Sequence, residues 1–130
     1  MAPDFIFKDS DNNDLRLSNF LGKRIVIYFY PNDFTPGCTT QASEFSIHFN
    51  KYLENNIIII GISPNDGTTH QKFKEKIRIP FLLISDSNNK ISQQYGVYKL
   101  KKFMGKEYMR VMRTTFLIDK HGIIAKIFYK

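Results

Sequence analysis

This 130-residue sequence predicts an α/β fold with a mostly parallel central sheet, an antiparallel hairpin at one edge and helices on both faces. Three observations carry that prediction. Two near-continuous runs of β-branched and aromatic residues, RIVIYFYP (24–31) and NIIIIGIS (56–63), have the composition of strands buried on both faces. Helical patterns separate these runs from each other and from a shorter one, PFLLIS (80–85), and parallel strands need such crossovers. Finally, TTFLID (114–119) and GIIAKIFY (122–129) meet at the turn DKHG, which reads as a β-hairpin.

The other elements follow in order. Residues 5–17, FIFKDSDNNDLRL, read as a small hairpin around the polar Asp9–Asp14 turn. In CTTQASEFSIHFNKYLENN (38–56), Ala42, Phe45, Phe49 and Leu53 recur at spacings of three and four, which predicts one helix with a single apolar face. DGTTHQKFKEKI (66–77) predicts a second helix. NNKISQQYG (88–96) predicts a third, with Gly96 as its C-cap. The stretch VYKLKKFMGKEYMRVMR (97–113) has no clean period and is expected to be a long connection, a kind of segment that often carries function.

Composition places the chain among folded globules: 42% hydrophobic and 15% aromatic residues, and a length that fits one domain over 1–130. The opening MAPDFIFKDSDNN lacks the basic-then-apolar pattern of an export signal, and no apolar stretch approaches the roughly 18 residues that span a bilayer. A lone cysteine, Cys38, excludes an internal disulfide and any CxxC motif, so a cytoplasmic location and no membrane association are expected. Lys and Arg outnumber Asp and Glu by 19 to 12, but the lysines are scattered and no nucleic-acid motif accompanies them. A solvated basic surface is expected, with no nucleic acid as partner. His48 is ambiguous in position, and His70 and His121 lie in polar surroundings; the three are unclustered, so neither a metal nor another cofactor is expected. Asp66 and Asp119 read as turn or edge residues.

Cys38 stands where the first long strand gives way to a helix, in PNDFTPGCTT (31–40). That is the carboxyl edge of a parallel sheet, where open α/β folds place their sites. Thr35 suits the N-cap and Pro36 the first helical position, which puts Cys38 three residues past the cap. A thiolate there faces free backbone N–H groups and the positive end of the helix dipole, which favour the ionised sulfur. Gly37 leaves room for a small substrate. The residues alone also allow a buried structural thiol, a Thr35 that only caps and an Arg113 that is only a surface cation.

PNDFTPGCT fits P-x-x-x-T-x-x-C, the active-site signature of the peroxiredoxins, and YFYPNDFTPGCTTQASEF resembles the peroxiredoxin Q, or bacterioferritin comigratory protein, branch. The resemblance extends through APDF (2–5), GISPND (61–66), IPFLLISD (79–86) and YGVYKLKKFMGKEYMRVMRTTFLID (95–119), in the family's order. It implies a thioredoxin-like fold and thiol-dependent reduction of hydrogen peroxide and organic hydroperoxides. Cys38 matches the peroxidatic cysteine, which becomes a sulfenic acid. Thr35 matches the threonine that hydrogen-bonds thiolate and peroxide, Arg113 the arginine that stabilises both, and Pro31 the proline that shields the pocket. Met104, Met109, Met112, Phe103 and Tyr108 are expected either to line that pocket near Arg113 or to pack in the core.

The chain departs from the branch at three places. Ser43 stands where many members carry a resolving cysteine, so an external thiol reductant of thioredoxin, glutaredoxin or glutathione type is expected. The alternative is a thioredoxin-fold redox sensor or binding protein with little turnover. Gln41 stands where glutamate is usual. The chain stops at IIAKIFYK where the family usually adds a helix, and the expected state is a monomer or weak homodimer.

Overall fold

A computed structural model describes residues 2–8, 14–31, 36–64, 67–79, 81–86 and 88–128, without the side chains of residues 8, 36–38, 67, 68, 77, 101–103 and 108. In chain order the elements are β1 (Ile6–Lys8), β2 (Asp14–Arg16), a 3-10 turn (Leu17–Phe20), β3 (Arg24–Phe29), α1 (Pro36–Ile47), α2 (Phe49–Glu54), β4 (Ile57–Ser63), α3 (Gly67–Ile77), β5 (Leu82–Ser85), α4 (Lys90–Gln94), β6 (Tyr98–Phe103), β7 (Lys106–Val111), β8 (Thr114–Ile118) and β9 (Ile124–Phe128). The main sheet has the order β5-β4-β3-β8-β9. Its β5, β4 and β3 run parallel, β8 pairs antiparallel with β3, and β9 completes an antiparallel hairpin with β8 at one edge.

Strand β3 sits in the middle and feeds two cores, which is why it reads as unbroken apolar sequence. Ile25, Ile27 and Phe29 face one layer with Ile60, Ile62, Ile84, Phe116 and Tyr95, covered by α4 and by Phe5 and Phe7 of the N-terminal segment. Val26, Tyr28 and the following Tyr30 face the other, against Ala42, Phe73, Ile79 and Phe81, with Phe45, Phe49 and Tyr52 packed on it. Helices therefore cover both faces.

The expected hairpin at 5–17 forms as β1 paired antiparallel with β2; residues 9–13 of its turn lie outside the described residues, as does Asp66. The single helix expected over 38–56 is instead two, broken at His48, which adopts φ −97° and ψ 9°. The break advances the apolar stripe: Tyr52 packs against the core, whereas Leu53 is 58% exposed. Both 49-to-52 and 49-to-53 spacings suit a helix, so the sequence pattern alone could not choose.

The third helix is shorter than expected. Buried Asp86 accepts hydrogen bonds from the backbone N–H of Ile91 (3.0 Å) and Ser92 (2.9 Å) and so caps α4 from outside it. Gly96 follows at φ +69°, the left-handed conformation expected of a helix-terminating glycine. Asp119 is a turn residue, as expected: its carboxylate accepts from the N–H of His121 (2.9 Å) and Ile123 (3.0 Å), and the Ile123 bond in particular holds it below the usual carboxylate range.

The largest difference concerns 97–113, which is not an irregular connection. It forms a separate two-stranded ribbon, β6 paired antiparallel with β7, closed by Met104 (φ 51°) and Gly105 (φ 78°). Two successive positive φ values are those of a two-residue hairpin turn, but Met-Gly is not the Asn-Gly or Asp-Gly pair that announces one. Lysines at alternate and adjacent positions also hide the period-2 pattern.

Tyr95, at the end of α4, packs edge-on against Phe116 (centroids 5.1 Å apart) and donates its hydroxyl to the Pro3 carbonyl at 2.7 Å. Burial, and then the negative charge of Asp4, push its phenol well above its ordinary range. The fold thus favours the neutral form. That contribution is complete below the unfolded value, about 10, and is lost as pH rises beyond it toward the folded value. We expect Tyr95→Phe to lose less stability than the unsubstituted chain between about pH 9 and 11, read as urea midpoints. Equal losses would show that Tyr95 does not couple folding to pH.

Candidate active site at the carboxyl edge of the sheet

The parallel strands β3, β4 and β5 end on one side of the sheet, and the loops leaving them share that edge. Tyr30 extends β3 by donating its N–H to the Ile62 carbonyl (3.1 Å), and half-buried Pro31 turns the chain away. Thr35 lies outside the described residues. Helix α1 then starts at Pro36, the position expected of it, and Gly37 and Cys38 occupy its second and third positions. Their backbone N–H groups fall in the first turn, where an α-helix has no internal acceptors and the helix dipole is positive.

Tyr28 holds the helix in place from below. Its ring stacks on Tyr30 (5.3 Å) and on Phe45 of α1 (4.9 Å). Gly61, opposite Tyr28 in the ladder, makes the space: a Cβ there would lie 2.8 Å from the tyrosine Cζ and 2.7 Å from Leu83 Cδ2. Gly61 is therefore the reason an aromatic ring fits between the sheet and α1.

Arg113 reaches the same edge from the opposite chain direction. In the antiparallel β3–β8 pairing, Phe29 opposes Thr114, so the start of β8 lies beside the end of β3. Arg113 precedes Thr114 by one residue and is half-buried. Two hydrogen bonds fix its neighbours: Met112 N–H donates to the Val97 carbonyl (2.7 Å), and Thr114 Oγ1 donates to the Met112 carbonyl (3.0 Å). Thr114 was not singled out from the sequence, because its role depends on a backbone carbonyl two residues away. Arg113 also borders a groove of about 200 Å³ with Lys99, Met112, Phe116 and Ile127 among its walls.

Of the methionines expected near Arg113, Met112 lines that groove, while Met104 and Met109 are exposed, at 87% and 48%. The side chains of Phe103 and Tyr108 lie outside the description. Gln41, one turn beyond Cys38, is half-buried with an Oε1 that has no hydrogen-bond partner among the described residues. Ser43 is half-buried in α1.

His70 corrects an expectation. It is not in polar surroundings but is buried at 3% exposure, with Nε2 donating to the Ile84 carbonyl at 3.0 Å and Ser63 Oγ 3.5 Å away. His48 and His121 are exposed. Among the described residues no group of three His, Cys, Asp or Glu is placed to hold a metal ion. Nor is any described helix long and apolar enough to cross a membrane.

Comparison with known proteins places this architecture. The sequence profile of the AhpC/TSA family matches residues 1–127. Peroxiredoxin Bcp of Bacillus subtilis is 48% identical over 125 residues, covering 96% of this chain and 80% of the relative. A Buchnera aphidicola protein described as a putative peroxiredoxin bcp is 41% identical over 130 residues, covering 100% and 82%. Among solved structures, bacterioferritin comigratory protein of Xanthomonas campestris, studied for its alkyl peroxide reduction, superposes with a TM-score of 0.89 at 29% identity, covering 95% of this chain and 79% of that one. BcpB of Mycobacterium tuberculosis superposes at 0.84 with 32% identity, covering 98% and 82%. The fold is accordingly thioredoxin-like, and the chain belongs to the AhpC/TSA family, in the peroxiredoxin Bcp and Q branch of thiol peroxidases.

Proposed function

We propose that this chain, as one thioredoxin-like domain over residues 1–130, reduces hydrogen peroxide and organic hydroperoxides at Cys38 in a one-cysteine cycle. The thiolate attacks one oxygen of the peroxide, the O–O bond breaks, and the other oxygen leaves as water or an alcohol after taking a proton. Sulfur is oxidised to sulfenic acid. An external thiol then condenses with it, releasing water and forming a mixed disulfide. A second thiol attacks that disulfide and returns Cys38 to its starting state. Ser43 supports external resolution, because a hydroxyl cannot form the internal disulfide.

The observation that carries this reading is the β3–β8 register, which sets Arg113 at the sheet end where α1 begins with Cys38 in its first turn. Negative charge grows on the departing oxygen in the transition state, and fixed donors stabilise it most where water is excluded. We assign Arg113 and Thr35 as those donors, Pro31 and Gly37 as the walls that shield and admit the peroxide, and the helix N–H groups as support for the thiolate. No metal or other cofactor takes part in this scheme. The reductant is a thioredoxin-, glutaredoxin- or glutathione-type thiol, the setting a reducing cytoplasm, and the working unit a monomer or weak homodimer.

The test is a time course of intact mass after one equivalent of hydrogen peroxide, with a sulfenic-acid trap present. Rapid stoichiometric trapping at Cys38 is expected, with turnover under dithiothreitol in a parallel reaction that contains no trap. Trapping no faster than that of a free thiol would end the peroxidase mechanism for Cys38. Rapid trapping with negligible turnover under any reductant would instead assign the chain as a redox sensor.

A further inference from the structure

The β6–β7 ribbon concentrates the charge of this protein. Residues 98–111 hold five cations (Lys99, Lys101, Lys102, Lys106, Arg110) and one acid (Glu107), a net of +4 out of the chain's +7. The scatter read from the sequence is thus gathered by the hairpin onto one projection. In the ladder Lys99 stands directly opposite Arg110, and Lys106 lies on that same face by strand alternation. Lys99 and Lys106 are exposed and Arg110 is half-buried. Like charges directly opposed across a strand pair destabilise it, so the pair costs folding stability locally. The other face carries an exposed apolar pair, Leu100 (54%) opposite Met109 (48%), with Met104 at the tip.

We propose that this ribbon is the docking surface for an acidic protein thiol, the reductant of the proposed cycle. The inference rests on the peroxidase reading for the partner's role, although the surface itself does not. Three features fit a protein better than a small thiol. Each six-residue strand extends about 20 Å, which exceeds a tripeptide-sized reductant and suits a protein patch. A partner lying along an edge of this thin ribbon meets side chains of both faces, cations on one and exposed Leu100 and Met109 on the other, the mixture that steers and then holds a protein partner. The ribbon also runs directly into Met112 and Arg113, so a partner bound along it sits beside the edge where α1 begins. Duplex nucleic acid would use the cations but leave Leu100, Met104 and Met109 without a role.

The experiment uses a thioredoxin of net negative charge as the protein probe and dithiothreitol as the small neutral one. The variant is Lys99→Glu/Lys106→Glu/Arg110→Glu, with Lys99→Glu/Lys106→Glu as a second that changes only exposed residues. We expect kcat/KM for thioredoxin to fall at least about tenfold in the variants, and in the unsubstituted chain to fall as salt is raised. Turnover with dithiothreitol is expected to stay within about twofold, which also reports that the variants fold. Unchanged thioredoxin kinetics, or parallel loss with both thiols, would overturn the proposal. So would salt-sensitive binding of a generic DNA duplex that the variants abolish while thioredoxin kinetics hold. Fluorescence titration of the reduced chain with thioredoxin runs alongside. A chain inactive with every reductant would end the peroxidase reading, and the titration would still decide whether the ribbon docks an acidic protein.

Discussion

Replacing Cys38 with serine is expected to lower peroxide reduction by about a thousandfold or more, to the background of the assay mixture. A serine hydroxyl stays protonated at neutral pH and attacks an O–O bond far less readily than a thiolate. The chain offers no second thiol to take over, since Cys38 is its only cysteine. Arg113→Lys is the more discriminating companion. Lysine keeps the charge but loses the planar fork, so two donors in fixed directions become one mobile point charge. Loss of one such donor set is expected to cost about 10²–10³ in the rate of the peroxide step. Stopped-flow peroxide consumption under single-turnover conditions measures both. A Cys38→Ser chain retaining a tenth of the activity would remove Cys38 from the chemistry; an Arg113→Lys chain at full rate would return Arg113 to an ordinary cation.

Phe29→Ala is expected to be the costliest change to the fold. The side chain is fully buried and packs edge-on against Phe116 (5.7 Å) and at a tilt against Tyr95 (5.4 Å). Truncating a buried phenylalanine removes its transfer free energy and leaves a cavity, together about 3–5 kcal/mol. Against a typical total of about 5–15 kcal/mol, that is a large share of the stability. Urea unfolding followed by circular dichroism reads the change. Leu53→Ala is the paired control, because the kink at His48 leaves Leu53 mostly exposed, and its cost is expected to stay within about 0.5 kcal/mol. A loss at Leu53 equal to that at Phe29 would mean that the apolar stripe continues unbroken from α1. Since Phe29 also opposes Thr114, its loss is expected to loosen Arg113, and activity should fall faster than the population of folded chain.

The parts that were legible in the sequence are those in which each residue's neighbours along the chain decide its state. The runs around Ile27 and Ile60 are strands because β-branched and aromatic side chains fill both faces of a pleated surface. Pro36 and Cys38 were placed at a helix start by the local chemistry of the first turn. Gly96 ends α4 because only its own backbone must turn left-handed. The resemblance around Cys38 and Arg113 marked the candidate residues, but not what holds them.

Other features exist only through contacts between distant segments. His70 is buried because the end of β5 supplies the Ile84 carbonyl it donates to, fourteen residues away in sequence. Asp86 caps a helix that starts four residues later, and Gly61 is required by a tyrosine on the neighbouring strand. The β6–β7 ribbon has no local sequence signature, because its turn is an uncommon Met-Gly pair and its lysines mask the alternation. The sequence by itself thus determined the strands of the main sheet, the helix start at Cys38 and the family to which they belong. Only the tertiary structure decided that Arg113 comes to the sheet end from which the chain enters that helix, since a strand register is a choice among pairings of distant segments. That choice is made by the two-sided core around β3 rather than by any local pattern.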